Sequence, residues 1–145
     1  MILRDAKLPD LPVVLALLAE SGAEPAEVTE AHERALADIE ADPRNEMLVL
    51  ADGDEVVGCI QLTYIPGLGQ GGRERALVEA VRIREDRRGG GLGAELMRLA
   101  VERARGRGCG LVQLTSNKRR GAAHRFYERL GFARSHEGFK LHLDH

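Results

Sequence analysis

Residues 85–96, "EDRRGGGLGAEL", set two arginines and four glycines at the start of what otherwise reads as a helix. Glycine is about 1 kcal/mol worse than alanine inside a helix, so this run demands a reason. The first N–H groups of a helix have no partner within it, and the helix dipole adds partial positive charge there. Such an end receives an anion if the ligand can approach the backbone closely. Gly89, Gly90, Gly91 and Gly93 remove the side chains that would block that approach, while Arg87 and Arg88 add full charges. A phosphate or pyrophosphate cradle accounts for all four glycines. The competing reading is a flexible turn followed by a tight helix–strand contact. A Walker loop is excluded because Ala94–Glu95 stands where Lys–Ser/Thr is needed. The dinucleotide fingerprint fails at Leu96, where its third glycine belongs.

The chain before this stretch reads as a series of short elements. "MILRDA" is strand-like, and Asp10 can cap a helix over Leu11 to about Glu20 with Pro12 in its first turn. Gly22 to Glu24 breaks it. Thr29 caps a second helix to about Ala41, which Asp42–Pro43 stops. Residues 46–65 are two apolar runs joined at Asp52–Gly53, a hairpin signal. A glycine-rich loop, "PGLGQGG", leads to a strand over 76–83. The helix opened by the quoted stretch runs to about Gly106, with Leu92, Leu96, Leu99 and Arg103 at helical spacing. "LVQLT" at 111–115 reads as a buried strand, "GAAHRFYERL" as a short helix ended by Gly131, and 132–143 as a final strand pair. The expected order is β-α-α-β-β-β-α-β-α-β-β. That makes an α/β protein with a mixed sheet and at least one right-handed parallel crossover.

Composition bounds the function. The 145 residues suit a single domain, 1–145, with 43% hydrophobic and 30% charged residues. The net charge of −2 argues against a nucleic-acid partner. The longest apolar runs are too short to span a bilayer, and the start has no secretion-signal pattern, so a cytoplasmic location away from membranes is expected. Cys59 and Cys109 have no zinc or redox spacing and read as small apolar core residues. His32, His124, His136, His142 and His145 have no ligand spacing with carboxylates, so no metal site is expected. Four of the five aromatics, Phe126, Tyr127, Phe132 and Phe139, fall in the last twenty residues. The main core must then be aliphatic, and the C-terminal segment has a separate packing or pocket-lining task.

With these residues in view, "RRGGGLGAELMRLA" resembles the acyl-coenzyme A motif of the GNAT superfamily of N-acetyltransferases, with Arg88, Gly91 and Gly93 at its motif positions. "ALVEAVRIRED" is similar to that family's fourth strand, and "AHRFYERLGF" to its last helix. The likeness is close over 76–143 and loose before that. It implies acetyl-coenzyme A with its pyrophosphate on the amides of 88–94. The cofactor set is then Arg87, Arg88, Gly89, Gly90, Gly91, Leu92, Gly93 and Ala94, with the pantetheine arm along Val81, Arg82 and Ile83. Asn117 follows the fifth strand, where the family often contacts the cofactor, and Lys118, Arg119 and Arg120 suit the 3′-phosphate or are simply solvated.

The resemblance also implies catalytic roles. A lysine-like amine is neutral in only about one molecule in 2,500 at pH 7, a deficit of about 4.6 kcal/mol, so a general base is the natural remedy. Glu79 matches a glutamate of many small members. Flanked by Val78 and Ala80, it is expected to be partly desolvated. It acts as base, attracts a cationic acceptor, or faces outward paired with an arginine such as Arg82. Tyr127 matches the family tyrosine that protonates the departing thiolate, or is a core or rim residue. His124 is a helix-surface residue or a second proton carrier.

The implied activity is acetyl transfer from acetyl-coenzyme A to a primary amine of a small-molecule acceptor, by direct attack in a ternary complex. The acidic lean of Glu24, Glu27, Glu30 and Glu33 suits a cationic amine or is a solvated helix face. The likeness allows a homodimer. An acyl-coenzyme A sensor without turnover would keep the cradle but need neither Glu79 nor Tyr127, and a nucleotide-binding regulatory domain leaves "RFYERLGF" unexplained.

Overall fold

In the computed structural model the described residues are 1–19, 23–117 and 119–143. The expected helix end at Glu20, the break from Gly22, and the residues Lys118 and His145 lie outside them. The chain divides into two compact units, Met1–Gln113 and Leu114–His145.

The first unit is organised by the hairpin expected at Asp52–Gly53. Strands β2 (Asn45–Asp52) and β3 (Glu55–Ile65) pair antiparallel, Asp52 opposite Glu55, with Gly53 at φ 61° supplying the left-handed turn residue. Strand β1 (Ile2–Asp5) joins the free edge of β2, and β4 (Arg75–Ile83) joins β3, both antiparallel. With β5 (Leu111–Leu114) the mixed sheet has the order β1-β2-β3-β4-β5.

Apolar residues on both faces of β2 and β3 need cover on both sides. One face carries Met47, Val49 and Cys59 and is packed by Leu11, Val14 and Leu17 of α1 (Leu11–Leu18) and Leu36 of α2 (Glu30–Ala41). Alternation puts Leu48, Leu50, Ile60, Leu62 and Val78 on the other. Helix α3 (Leu92–Arg107) packs against β3 and β4. Each fully buried leucine contributes about 1.5–3 kcal/mol over leaving it in water. The α3 stripe that is buried is Leu96, Met97, Ala100 and Ala104, one step round from the expected Leu92–Leu96–Leu99–Arg103. Small residues let the helix sit close, and Arg103 turns to Glu46 at 3.4 Å instead.

Helix ends follow their chemistry. Thr29 caps α2 as expected, its Oγ1 accepting from the His32 amide at 3.4 Å while His32 Nδ1 accepts from the Thr29 amide at 3.0 Å. Asp10 does not cap α1. A short 3-10 turn over Leu8–Asp10 precedes the helix, and the carboxylate turns back to accept from the Lys7 amide at 2.8 Å and from Arg4. The arginine outcompetes the helix amides because it offers two charge-assisted bonds at once. Helix α3 ends in a Schellman arrangement around Gly108 (φ 86°), with Cys109 N–H to Ala104 O and Gly108 N–H to Arg105 O, both 3.0 Å.

The second unit contains α4 (Gly121–Arg129), followed by Gly131 at φ 97°. The expected strand pair over 132–143 is absent from the described residues. Alternating apolar residues make a strand only where a neighbouring backbone supplies hydrogen-bond partners, and here Phe139 and Leu141 stand in solvent. Nor is 111–115 a buried strand: β5 stops at Leu114, Leu111 and Val112 are half-buried, and Gln113 is exposed.

Candidate active site

In the first unit the site begins with an irregularity in β4. Cys59 pairs with Arg82, but Gln61 pairs with Glu79, so β4 spends one residue more than β3 over this step. The extra residue is accommodated by Ala80, whose φ is 55°, a left-handed value unusual for a residue with a side chain. The thiol of Cys59, fully buried, donates to the Ala80 carbonyl at 3.4 Å. Burial pushes that thiol up to about 12, so it stays protonated and inert as a nucleophile.

Beyond the bulge, Val81, Arg82 and Ile83 run half-buried to the glycine segment. A 3-10 turn over Glu85–Arg87 lies between, and the Arg88 Nε–H donates back to the Ile83 carbonyl at 3.1 Å. Gly89 and Gly91 both have φ 83°, which accounts for two of the four glycines by conformation alone. A Cβ at either would meet nothing within 4 Å, so no protein packing demands a glycine there and the space beside each is open. Gly91 is the N-cap of α3 and no side chain caps that end. The first amide bonded back into the helix is that of Glu95, to Gly91 O at 3.1 Å. The amides of Leu92, Gly93 and Ala94 stand ahead of it with no acceptor inside the helix. This donor set fits a pyrophosphate.

Of the cationic residues expected here, Arg88 is exposed, while Arg87 is tied to Asp52 at 3.0 Å. Glu79 is exposed on β4 opposite Gln61, rather than partly desolvated between Val78 and Ala80. Val78, buried in the regular part of the strand, points to the other face and so cannot shield it. The pair with Arg82 does not form among the described residues; that guanidinium donates to the Val81 carbonyl at 2.9 Å.

In the second unit, Tyr127 is half-buried in an aromatic group on α4. Its ring meets Phe126 edge-on at 5.2 Å and Phe132 at 5.9 Å. Asn117 organises the approach to the helix: its Oδ1 accepts from the Arg119 amide at 3.0 Å and its carbonyl from the Arg120 amide at 3.0 Å. His124 Nε2 lies 2.9 Å from the same carbonyl, which makes His124 a brace for this turn. Arg120 is exposed at the N-cap of α4.

Two features had no sequence signature. Ala80 looks like any strand alanine, and only pairing register reveals the bulge. At the far end of α3, the Tyr64 hydroxyl donates to Glu46 at 2.5 Å, Arg107 stacks over the Tyr64 ring at 4.1 Å and bonds Glu74 at 2.9 Å, and Arg44 reaches the same carboxylate at 3.1 Å. This network joins the end of α3 to the ends of β2 and β3. Among the described residues no group of three His, Cys, Asp or Glu could hold a metal, and no helix is long and apolar enough to cross a membrane.

Residues 14–132 match the Acetyltransferase (GNAT) family. A transcriptional regulator from Bacillus halodurans C-125 has a crystal structure similar to this chain, at 41% identity and TM-score 0.92, covering 98% of this chain and 99% of that one. A putative acetyltransferase from Agrobacterium tumefaciens is 31% identical with TM-score 0.87, covering 99% and 100%. Glucosamine-6-phosphate N-acetyltransferase from Arabidopsis thaliana, at 16% identity and TM-score 0.83 over 99% and 98%, shares the fold. No curated protein matches the chain.

Proposed function

Because the chain belongs to the acetyltransferase (GNAT) family, we propose that it transfers an acetyl group from acetyl-coenzyme A to a primary amine of a small molecule. The observation that carries this reading is the bare, left-handed start of α3, with unpartnered amides and open space before them. Acetyl-coenzyme A supplies the activated acyl group. The amides of 88–94 and the Arg88 charge hold its pyrophosphate, and the backbone of Val81, Arg82 and Ile83 pairs with the pantetheine arm. Asn117 contacts the cofactor after the fifth strand, and Arg120 serves the 3′-phosphate of its adenosine end.

The amine nitrogen forms a bond to the acetyl carbon as the carbon–sulfur bond breaks. Its proton leaves to Glu79, directly or through a water, which suits an exposed carboxylate. Tyr127 returns a proton to the departing thiolate, since a phenol of pKa about 10 can donate to a thiolate whose acid form lies near 8.5. No covalent enzyme adduct is needed, in keeping with the buried, protonated Cys59. The working location is the cytoplasm, and a homodimer is compatible with the scheme.

Thermal unfolding with acetyl-coenzyme A, NADH and ATP side by side tests the ligand. At a hundred times its dissociation constant a ligand stabilises by about 2.7 kcal/mol, which is several degrees for a domain of this size. A shift with acetyl-coenzyme A alone supports the reading and opens a screen of amines for thiol release. A larger shift with a nucleotide would sink it. Gly91→Glu, which adds a negative side chain where the pyrophosphate is placed, should abolish the shift.

A second reading is favoured by the regulator from Bacillus halodurans, a close structural relative named for control rather than catalysis. The chain would then be an acyl-coenzyme A sensor, showing the thermal shift but no thiol release with any amine.

A further inference from the structure

The three arginines before the glycines are not equivalent. Arg84 donates its amide to the Val57 carbonyl at 2.8 Å, and its guanidinium lies 3.6 Å from Glu55 and 2.6 Å from Asp86. Arg87 reaches across the end of the sheet to Asp52 at 3.0 Å. Asp52 and Glu55 are the residues that flank the β2–β3 turn, so both bonds end on one short, stiff element. Arg87 N–H also bonds to Arg84 O at 2.9 Å, linking the two anchors through the 3-10 turn. Only Arg88, held by a single bond to Ile83 O, keeps most of its donors turned to solvent.

We propose that the β2–β3 turn is a clamp for the cofactor loop, in which Asp52 holds Arg87 and Glu55 holds Arg84, so that Arg87 is a positioning residue and not a phosphate ligand. This rests on the acetyl-coenzyme A reading above. Left-handed glycines at 89 and 91 make the cradle's own backbone soft, since glycine gives up more conformational freedom on ordering than any other residue. A cradle built from such residues needs its entry fixed from outside. Two ion pairs and one backbone bond to the rigid hairpin do this, immediately before the first glycine.

The two roles open to Arg87 predict opposite signs. If Arg87 bound phosphate, Asp52 would compete for it, and removing that carboxylate would tighten binding. If Asp52 clamps the loop, removing it loosens the cradle and weakens binding. Calorimetric titration of the full-length protein with acetyl-coenzyme A, on wild type, Asp52→Asn, Arg87→Asp and the charge exchange Asp52→Arg/Arg87→Asp, separates them. The exchange keeps the net charge of wild type and so removes the long-range field from the comparison.

An exposed pair couples by up to about 1 kcal/mol, so the clamp predicts roughly two- to fivefold weaker binding for Asp52→Asn. The KM for acetyl-coenzyme A should rise by more than kcat falls, and the exchange should recover most of what Arg87→Asp loses. Amide hydrogen exchange of residues 88–91 without ligand should quicken in Asp52→Asn and return towards wild type in the exchange variant. Tighter binding by Asp52→Asn, or an exchange variant as weak as Arg87→Asp, overturns the clamp and makes Arg87 a ligand. A wild-type protein that binds no acetyl-coenzyme A overturns the underlying reading, and the clamp with it.

Discussion

The Sγ of Cys59 lies 3.4 Å from the carbonyl oxygen of Ala80, and this bond spans the step at which β3 and β4 lose register. A bulge leaves one strand carbonyl without its ladder partner, and an inert thiol fills that vacancy without bringing a charge into the core. Ala80 holds a backbone conformation that costs a residue with a Cβ about 1–2 kcal/mol. Ala80→Gly should therefore raise the unfolding free energy by up to about 1 kcal/mol, the relief being offset in part by glycine's greater unfolded-state entropy. Urea denaturation checks this; a loss of stability would mean that the Ala80 methyl contributes packing worth more than the strain.

The Arg4–Asp10 pair gives the N-terminal segment a pH dependence. The Arg4 guanidinium, with the Lys7 amide, holds the Asp10 carboxyl below the usual carboxylate range. Its folded-state value is lower than its unfolded one, so the stabilisation is complete above about pH 4 and is lost as pH falls through the folded value. Asp10→Asn should cost about 1–2 kcal/mol at neutral pH and show a flatter decline than wild type as pH falls below about 4. Equal slopes for the two proteins would remove Asp10 from the acid response.

Tyr64 joins three charges, and the expected cost of its loss is graded. Tyr64→Phe keeps the ring under Arg107 but leaves Glu46 with Arg103 alone, at about 1–3 kcal/mol for a partly buried group deprived of a charge-assisted bond. Tyr64→Ala empties a fully buried site and should cost about 3–5 kcal/mol. Thermal melts of both rank them; equal losses would show that the ring contributes nothing beyond its hydroxyl.

Gly91 and Gly108 bracket α3 with nearly the same left-handed angle, and neither has protein atoms in the way of a Cβ. Alanine at either should cost about 1 kcal/mol of stability through backbone strain alone. Only Gly91→Ala should also change the thermal shift given by acetyl-coenzyme A. A matching change at Gly108 would point to general loosening of the helix.

The proposed acid and base are separable by pH. Tyr127→Phe should lower turnover and leave acetyl-coenzyme A affinity alone. Glu79→Gln should lose most activity at the acidic end of the profile, where the acceptor amine is charged, and approach wild type in alkali, where the amine is already neutral. A loss uniform across pH would make Glu79 an acceptor-binding residue.

What the sequence revealed was what local chemistry decides. Thr29 capping α2, the hairpin turn signalled by Asp52–Gly53 (its two turn residues are Gly53 and Asp54) and the glycine-led start of α3 each depend on a few adjacent residues. Their signals survive without knowledge of the fold. Asp10 departs from the expected cap because its partner, Arg4, lies in another element and offers a stronger bond than the helix does. The alternation in 132–143 was real, but a strand is a relation between two backbones and cannot be read from one. The bulge at Ala80 and the Asp52–Arg87 pair are relations of the same kind, created only when β2, β3 and β4 stand side by side. The candidate site was legible as a set of residue types in order; the backbone angles and the cross-strand partners that shape it were not.

The first four strands are neighbours in space in the order in which they are neighbours in the chain. That has a consequence in time. A ribosome adds roughly 5–20 residues per second. A hairpin such as β2–β3 closes in about 1–10 μs. The pairings of β1 to β4 and the bulge at Ala80 use no residue after Ile83, so each of these strands can join the sheet as it leaves the ribosome, in the order in which it is made.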